Sequence, residues 1–354
     1  MPADALRTYC AACPGLEIRD VLKYLHQSFF GCAHLVEDFD RALKWVKEEA
    51  EVSASDTLPC VEALPGNYSR VHLKALDDGL SPETLTNLFV LSAQPAAPGA
   101  SEALEKALEE FISLAARGLV PFEADAVTQA VTAWKAAGYP ACRHSEAFRD
   151  RYHPAYRVVR NDFIKFLPLF CRIDRLLTEM PPEKHVTVAV DGRCTSGKTT
   201  LAAMLARIYD ATVFHMDDFF LRPGQRTEVR LHTPGENVDH ERFLEEVLLP
   251  LSAGKAVQYV RYDCQSQTLL PAVTVTPGRL VVTEGSYSLH PELAAFYDLK
   301  VMLTVSPAEQ MRRIRSRNTP EAAARFESTW IPLEERYLEA CRVRETADLI
   351  LENE

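Results

Sequence analysis

The segment VDGRCTSGKTT, Val190 to Thr200, sets two glycines, a lysine and a cluster of hydroxyl residues directly behind the apolar run HVTVAV. Gly192 to Thr199 fits the pattern G-x-x-x-x-G-K-[ST], with a strand expected before it and a helix, TTLAAMLARIY, after it. Glycine lets backbone N–H groups turn inward around phosphate oxygens with no Cβ in the way, and a helix N-terminus adds unpaired donors and its dipole. Thr195, Ser196 and Gly197 complete the cradle. Lys198 is placed to reach the β- and γ-phosphates, Thr199 to ligate Mg²⁺, and Thr200 to bond a phosphate oxygen. The expected ligand is a nucleoside triphosphate. Cys194, inside the loop, reads as a small tolerated residue rather than a redox switch.

Two more expected strands end in acids. ATVFHMDDFF delivers Asp217 and Asp218, and RLVVTEGSY delivers Glu284 followed by Gly285. In an open α/β sheet, ligands gather at the carboxyl ends of the strands. A carboxylate near a γ-phosphate can take the proton of an attacking hydroxyl, and another can hold Mg²⁺. An Asp-Asp pair alone is as well explained by a solvated turn. Three strand ends converging on one crevice favour chemistry.

The loop, MDDFF, VDHERF, RYDC, TEGSY and the arginine-rich MRRIRSR occur in the order found in uridine kinase-like P-loop kinases. That group includes phosphoribulokinase and the nicotinamide riboside kinases. The resemblance covers about 186–350 and implies roles residue by residue. Asp217 matches the general base for an acceptor hydroxyl, and Asp217 and Glu284 match acids near Mg²⁺. Asp239 matches an aspartate that binds sugar hydroxyls, and Tyr262 a tyrosine of the substrate pocket. Arg312 and Arg313 match a lid that closes over the phosphates, with Arg315 or Arg317 as further candidates. FESTWIPLEERY is similar to the segment that follows the lid in riboside kinases. Gln267 stands where uridine kinases carry a base-recognising histidine, and Leu269 where a pocket arginine is expected, so uracil specificity does not follow.

The elements that must position these groups change character along the chain. Phe39, Ala42, Leu43 and Val46 repeat at helical spacing, and Ser81, Pro82 and Glu83 open another helix. Ser101 is expected to cap EALEKALEEFISLAARG, a further helix covers about 122–137, and AYRVVRNDFIKFLPLFCRIDRLLTEM reads as one long helical stretch kinked or divided at Pro168. After the proline-bearing connector EMPPEKH, the runs VTVAV, ATVFHM, RLVVT, LKVMLTV and ADLIL alternate with helical patterns, as buried parallel strands do. Ser306 and Glu309 are spaced as a capping box. The expected architecture is a mainly α-helical N-terminal domain, residues 1–180, followed by an α/β P-loop domain, residues 181–354, with a parallel sheet flanked by helices.

Composition sets outer bounds. The net charge of −11 argues against nucleic acid and anionic membranes as partners, while permitting a local basic pocket for a small anion. No apolar run approaches the roughly 20 residues of a membrane span, and the N-terminus lacks a secretory pattern, so a cytoplasmic location is expected. Nine cysteines, an odd number, suit reduced thiols, and the Cys10/Cys13 pair lacks the further ligands of a zinc site. His34, His72 and His153 are likewise too widely spaced to form one and read as structural. The leading interpretation is an ATP- and Mg²⁺-dependent kinase acting on a hydroxyl of a ribosyl or similar small molecule, with a homo-oligomer open. The rivals are a vitamin or sugar-phosphate kinase of the same superfamily and a nucleotide-gated regulatory protein.

Overall fold

By its internal contacts the chain divides into two units, Met1–Cys171 and Arg172–Glu354. The structure is a computed structural model that describes residues 2–52 and 59–354. The division falls within the helix Leu167–Glu179, ahead of the proline-bearing connector.

The N-terminal unit is mainly helical. Its core lies between helices Ile18–Phe30, Ala100–Ala116 and Ala124–Ala136. Leu104, Leu108 and Phe111 recur at i, i+4 and i+7, so one helix face is buried throughout. Ser81 caps helix Pro82–Ser92 as expected, accepting the Thr84 N–H at 3.0 Å. Ser101 does not cap its helix. The helix begins at Ala100, because Gly99 adopts a left-handed conformation that starts the turn two residues earlier.

Strands β1 (Val61–Ala63), β2 (Tyr68–His72) and β3 (Tyr156–Arg160) form an antiparallel sheet with β2 in the centre. This corrects the expectation of one long helix from Ala155. Val158 and Val159 are β-branched, and pairing with β2 from Tyr68↔Arg160 to His72↔Tyr156 outweighs the helical pattern around them. Short helix Asn161–Ile164 and helix Leu167–Glu179 follow. Pro168 is the second residue of the latter, where its missing N–H costs nothing, so it divides the stretch rather than kinking it.

In the C-terminal unit the five apolar runs become strands. They are β4 (Val186–Asp191), β5 (Thr212–His215), and, after two short ribbons, the last three of the chain. The ribbons pair β6 (Val257–Tyr259) with β9 (Val273–Val275) and β7 (Tyr262–Asp263) with β8 (Thr268–Leu269). Strands β10 (Leu280–Glu284), β11 (Leu299–Thr304) and β12 (Leu349–Glu352) complete a parallel sheet of order β12-β11-β4-β10-β5. Helices flank it. Val188, Val190, Val282, Val301 and Leu303 are fully buried, which explains their near-continuous apolar runs. Register aligns the carboxyl ends: Glu284 faces Val190 on one side and His215 on the other. No described helix is long and apolar enough to cross a membrane.

Candidate active site

Strand β4 ends in Asp191, and the loop begins at Gly192 with φ of 131°. A Cβ there would lie 1.9 Å from the Leu303 carbonyl oxygen of β11. Only glycine lets the loop leave the sheet this way. Thr195 (φ 58°) and Gly197 (φ 102°) also take positive φ, so the backbone reverses repeatedly before helix Lys198–Tyr209 starts. Such alternation directs successive N–H groups into one concavity suited to an anion. Asp191, fully buried, anchors the arrangement. It accepts the Gly192 N–H at 2.6 Å, the Leu289 N–H at 2.8 Å and the Tyr337 hydroxyl at 2.7 Å. Burial pushes its carboxyl up, against these bonds.

The Lys198 ammonium is buried and donates to the carbonyls of Gly192 at 2.7 Å and Arg193 at 3.0 Å. Its third contact is the Ser286 hydroxyl at 3.3 Å. Thr199 donates its hydroxyl to Glu284 at 3.1 Å. Glu284, buried at the end of β10, also bonds His215 Nδ1 at 2.6 Å, and that bond raises the His215 pKa. Asp217 and Asp218 lie in the 3₁₀ turn Met216–Phe219 after β5. The Asp217 side chain reaches solvent but is crowded by protein, and this loss of water raises its carboxyl. The charges felt there are Lys198 and His215, which oppose the shift, and Glu284 and Asp218, which add to it. Lys198, Thr199, Glu284 and Asp217 therefore come together at three adjacent strand ends. Thr200 is exposed on the first helical turn, and the Ser196 hydroxyl is buried with no partner among the described residues.

The remaining candidates surround this centre unequally. Asp239 ties to the same 3₁₀ turn through its N–H, which donates to Phe219 O at 2.7 Å. Its carboxylate caps helix His240–Phe243 and accepts Gln225 Nε2 at 2.8 Å. Tyr262 begins β7, which packs on that turn, and its buried hydroxyl has no partner among the described residues. Gln267 sits in the exposed turn between β7 and β8 with φ of 56°, and Leu269 is 43 % exposed.

The arginines of helix Pro307–Arg317 behave differently from each other. Arg312 is exposed and pairs with Glu309 at 2.5 Å. Arg313 bonds Glu309 at 2.6 Å, the Thr195 carbonyl at 3.2 Å and the Asn353 carbonyl at 2.6 Å, bracing the loop by its carbonyl oxygens. Half of the expected capping box forms. Ser306 accepts the Glu309 N–H, but Glu309 is engaged by the two arginines and Glu354 takes the Ser306 N–H at 2.7 Å.

Sequence reasoning missed Asp191, His215, Ser286 and Glu334. Glu334, buried, accepts the Cys194 N–H at 2.7 Å and the Ser286 hydroxyl at 2.7 Å. Beside it, Glu335 holds Arg193 through a two-pronged pair. The only signal was a pair of acids in PLEERY, with no spacing to connect them to a loop 140 residues away. Burial pushes the Cys194 thiol up to about 12 and those of Cys10 and Cys13 up to about 11, so all three are protonated and unreactive near neutral pH.

No protein-family model matches the chain. It is similar to uridine-cytidine kinase D of Dictyostelium discoideum, 21 % identical over 145 residues. That match takes in 38 % of this chain and 26 % of the relative, so the chain spans about a quarter of the curated protein it matches. Among solved structures, a "possible uridine kinase" from Bacillus stearothermophilus is 23 % identical with a TM-score of 0.38, covering 52 % of this chain and 99 % of its own. Phosphoribulokinase from Rhodobacter spheroides is 18 % identical with a TM-score of 0.36, covering 48 % and 70 %.

Proposed function

We propose that the C-terminal unit is an ATP- and Mg²⁺-dependent kinase that transfers the γ-phosphoryl group to a hydroxyl of a ribosyl or similar metabolite. The observation that carries this reading is the convergence of Lys198, Thr199, Glu284 and Asp217 behind a loop whose backbone repeatedly enters positive φ. The Dictyostelium discoideum relative is a uridine-cytidine kinase, which supports the same class of acceptor.

In this reading each residue has one task. The loop N–H groups and Lys198 hold phosphate oxygens, which requires Lys198 to exchange the Gly192 and Arg193 carbonyls for the ligand. Glu334 yields the Cys194 N–H in the same exchange. The Thr199 hydroxyl and the Glu284 carboxylate form an oxygen donor set of the kind a hard divalent cation prefers, so they fit Mg²⁺. Bound there, the cation supplies neutralisation of phosphate charge. His215 holds the Glu284 carboxylate in place. Asp217 takes the proton of the acceptor hydroxyl, whose oxygen bonds the γ-phosphorus as the bond to the bridging oxygen breaks and ADP departs. A carboxyl raised above its ordinary range is a better-matched base near neutral pH. Asp239 and the Tyr262 hydroxyl, which has no partner among the described residues, bind the acceptor's own hydroxyls.

The exposed Gln267 and Leu269 offer no buried edge for a pyrimidine, so uridine and cytidine are poor acceptors in this account. The test compares kcat/KM for uridine, cytidine, nicotinamide riboside, ribulose 5-phosphate and pantothenate, with Asp239→Ala as control. Efficient uridine turnover refutes the assigned acceptor preference.

A further inference from the structure

The N-terminal unit contains a cavity of about 460 Å³, walled by helices Ile18–Phe30 and Phe39–Val52, the segment around Arg143, and strand β3. That volume lies in the range small metabolites occupy. Its charge is out of keeping with the chain. Lys23, Arg143, Arg149 and Arg157 line it against one carboxylate, Glu49, in a protein of net charge −11.

Three of these cations have unspent capacity. Arg157 is 6 % exposed; its Nη1 donates to Glu49 at 2.8 Å and to the Tyr156 carbonyl at 3.0 Å, while its buried Nη2 has no partner among the described residues. A buried guanidinium donor left without a partner is costly, and in folded proteins such donors are often met by water, an ion or a ligand. Lys23 donates to one carbonyl, that of Cys142 at 3.1 Å, and burial holds its pKa below the ordinary lysine value. Arg143 is exposed at the rim and makes no ion pair among the described residues.

The other walls are apolar or rigid. Trp45 and Phe89 line it, and the Arg157 guanidinium stands over the Phe89 ring, 5.7 Å from its centroid. His144 is locked between Asp20 at 2.9 Å and the Tyr156 hydroxyl at 2.8 Å, so this side needs little ordering when a ligand enters. We infer that the N-terminal unit is a binding domain for a small organic anion. Its phosphate or carboxylate is taken by Arg157, Lys23 and Arg143, and its flat apolar body lies against Trp45 and Phe89. The inference is independent of the kinase reading, since every wall residue belongs to the other unit.

The test titrates the full chain with the anionic fluorophore 1-anilinonaphthalene-8-sulfonate, alongside its uncharged analogue N-phenyl-1-naphthylamine. Expected are one saturating site for the anion, a loss of about tenfold in affinity in Arg143→Gln at unchanged melting temperature, and a further loss in Arg157→Gln, each variant removing a charge-assisted contact. The uncharged analogue should be indifferent to both changes. Stronger displacement by phenyl phosphate than by benzoate identifies a phosphorylated ligand, and the reverse a carboxylated one. Binding that Arg143→Gln leaves unchanged overturns the inference, as does a neutral probe that binds as tightly, or displacement of the fluorophore by MgATP that Lys198→Ala abolishes. If Arg157→Gln fails to fold, Arg143→Gln decides alone.

Discussion

Replacing Gly192 by alanine tests whether the loop is built as described. The new Cβ would lie 1.9 Å from the Leu303 carbonyl oxygen and 2.8 Å from its carbon, where ordinary contact begins at 3.4 Å. Leu303 cannot retreat freely, because β11 is paired with β12 on one side and β4 on the other. Overpacking a buried backbone contact costs about 1–3 kcal/mol, and a side chain at positive φ about 1–2 more. The expected loss of about 2–5 kcal/mol lowers the melting point of a unit this size by roughly 5–20 °C. Two control variants separate the contributions. Gly254→Ala carries positive φ but meets nothing within 4 Å, and Gly224→Ala meets nothing and carries no such φ. Calorimetry of the C-terminal transition should rank Gly192→Ala far below Gly254→Ala, with Gly224→Ala near the parent. If Gly192→Ala melts within about 2 °C of Gly254→Ala, a difference of under about 1 kcal/mol, the close approach to β11 is wrong.

Glu334→Gln removes a negative charge that now holds the Cys194 N–H, so pyrophosphate should bind the loop about tenfold tighter. Calorimetric titration checks this, and weaker binding would assign Glu334 to shaping the loop instead. Acid should weaken the N-terminal unit ahead of the carboxylates. Burial holds His26 and His144 down to about 4, so both are neutral in the fold and their contribution, intact above the unfolded value of 6.5, is lost as pH falls towards 4. By about pH 5.5 each costs about 1 kcal/mol. A urea midpoint for this unit that stays flat from about pH 7.5 to 5.5 would contradict that environment.

The parts of the fold that were legible are those governed by local pattern. The five strands of the parallel sheet follow from apolar runs buried on both faces, and the shape of the loop after β4 from glycines held at positive φ. Strand β3 was not legible, because YRVVR has no local reason to prefer a strand until Tyr68–His72 lies beside it. The same holds within the site. Lys198 and Thr199 are fixed by a short motif, whereas Glu334 reaches the loop across 140 residues and Glu354 displaces Glu309 from its own cap across 48. Gln267 was expected to face an acceptor by its position in an aligned pattern. The structure places it in an exposed left-handed turn between β7 and β8.

The most direct test of the central claim follows the γ-phosphate itself. The full chain is incubated with Mg²⁺, γ-labelled ATP and a mixture of hydroxyl-bearing metabolites, beside Asp217→Asn. The account predicts label in an organic phosphate ester, reduced by about 10²–10⁴ in the variant, as for a lost general base, while the ATP-induced rise in melting temperature persists. Label appearing solely as inorganic phosphate, at the same slow rate in both proteins, would contradict it.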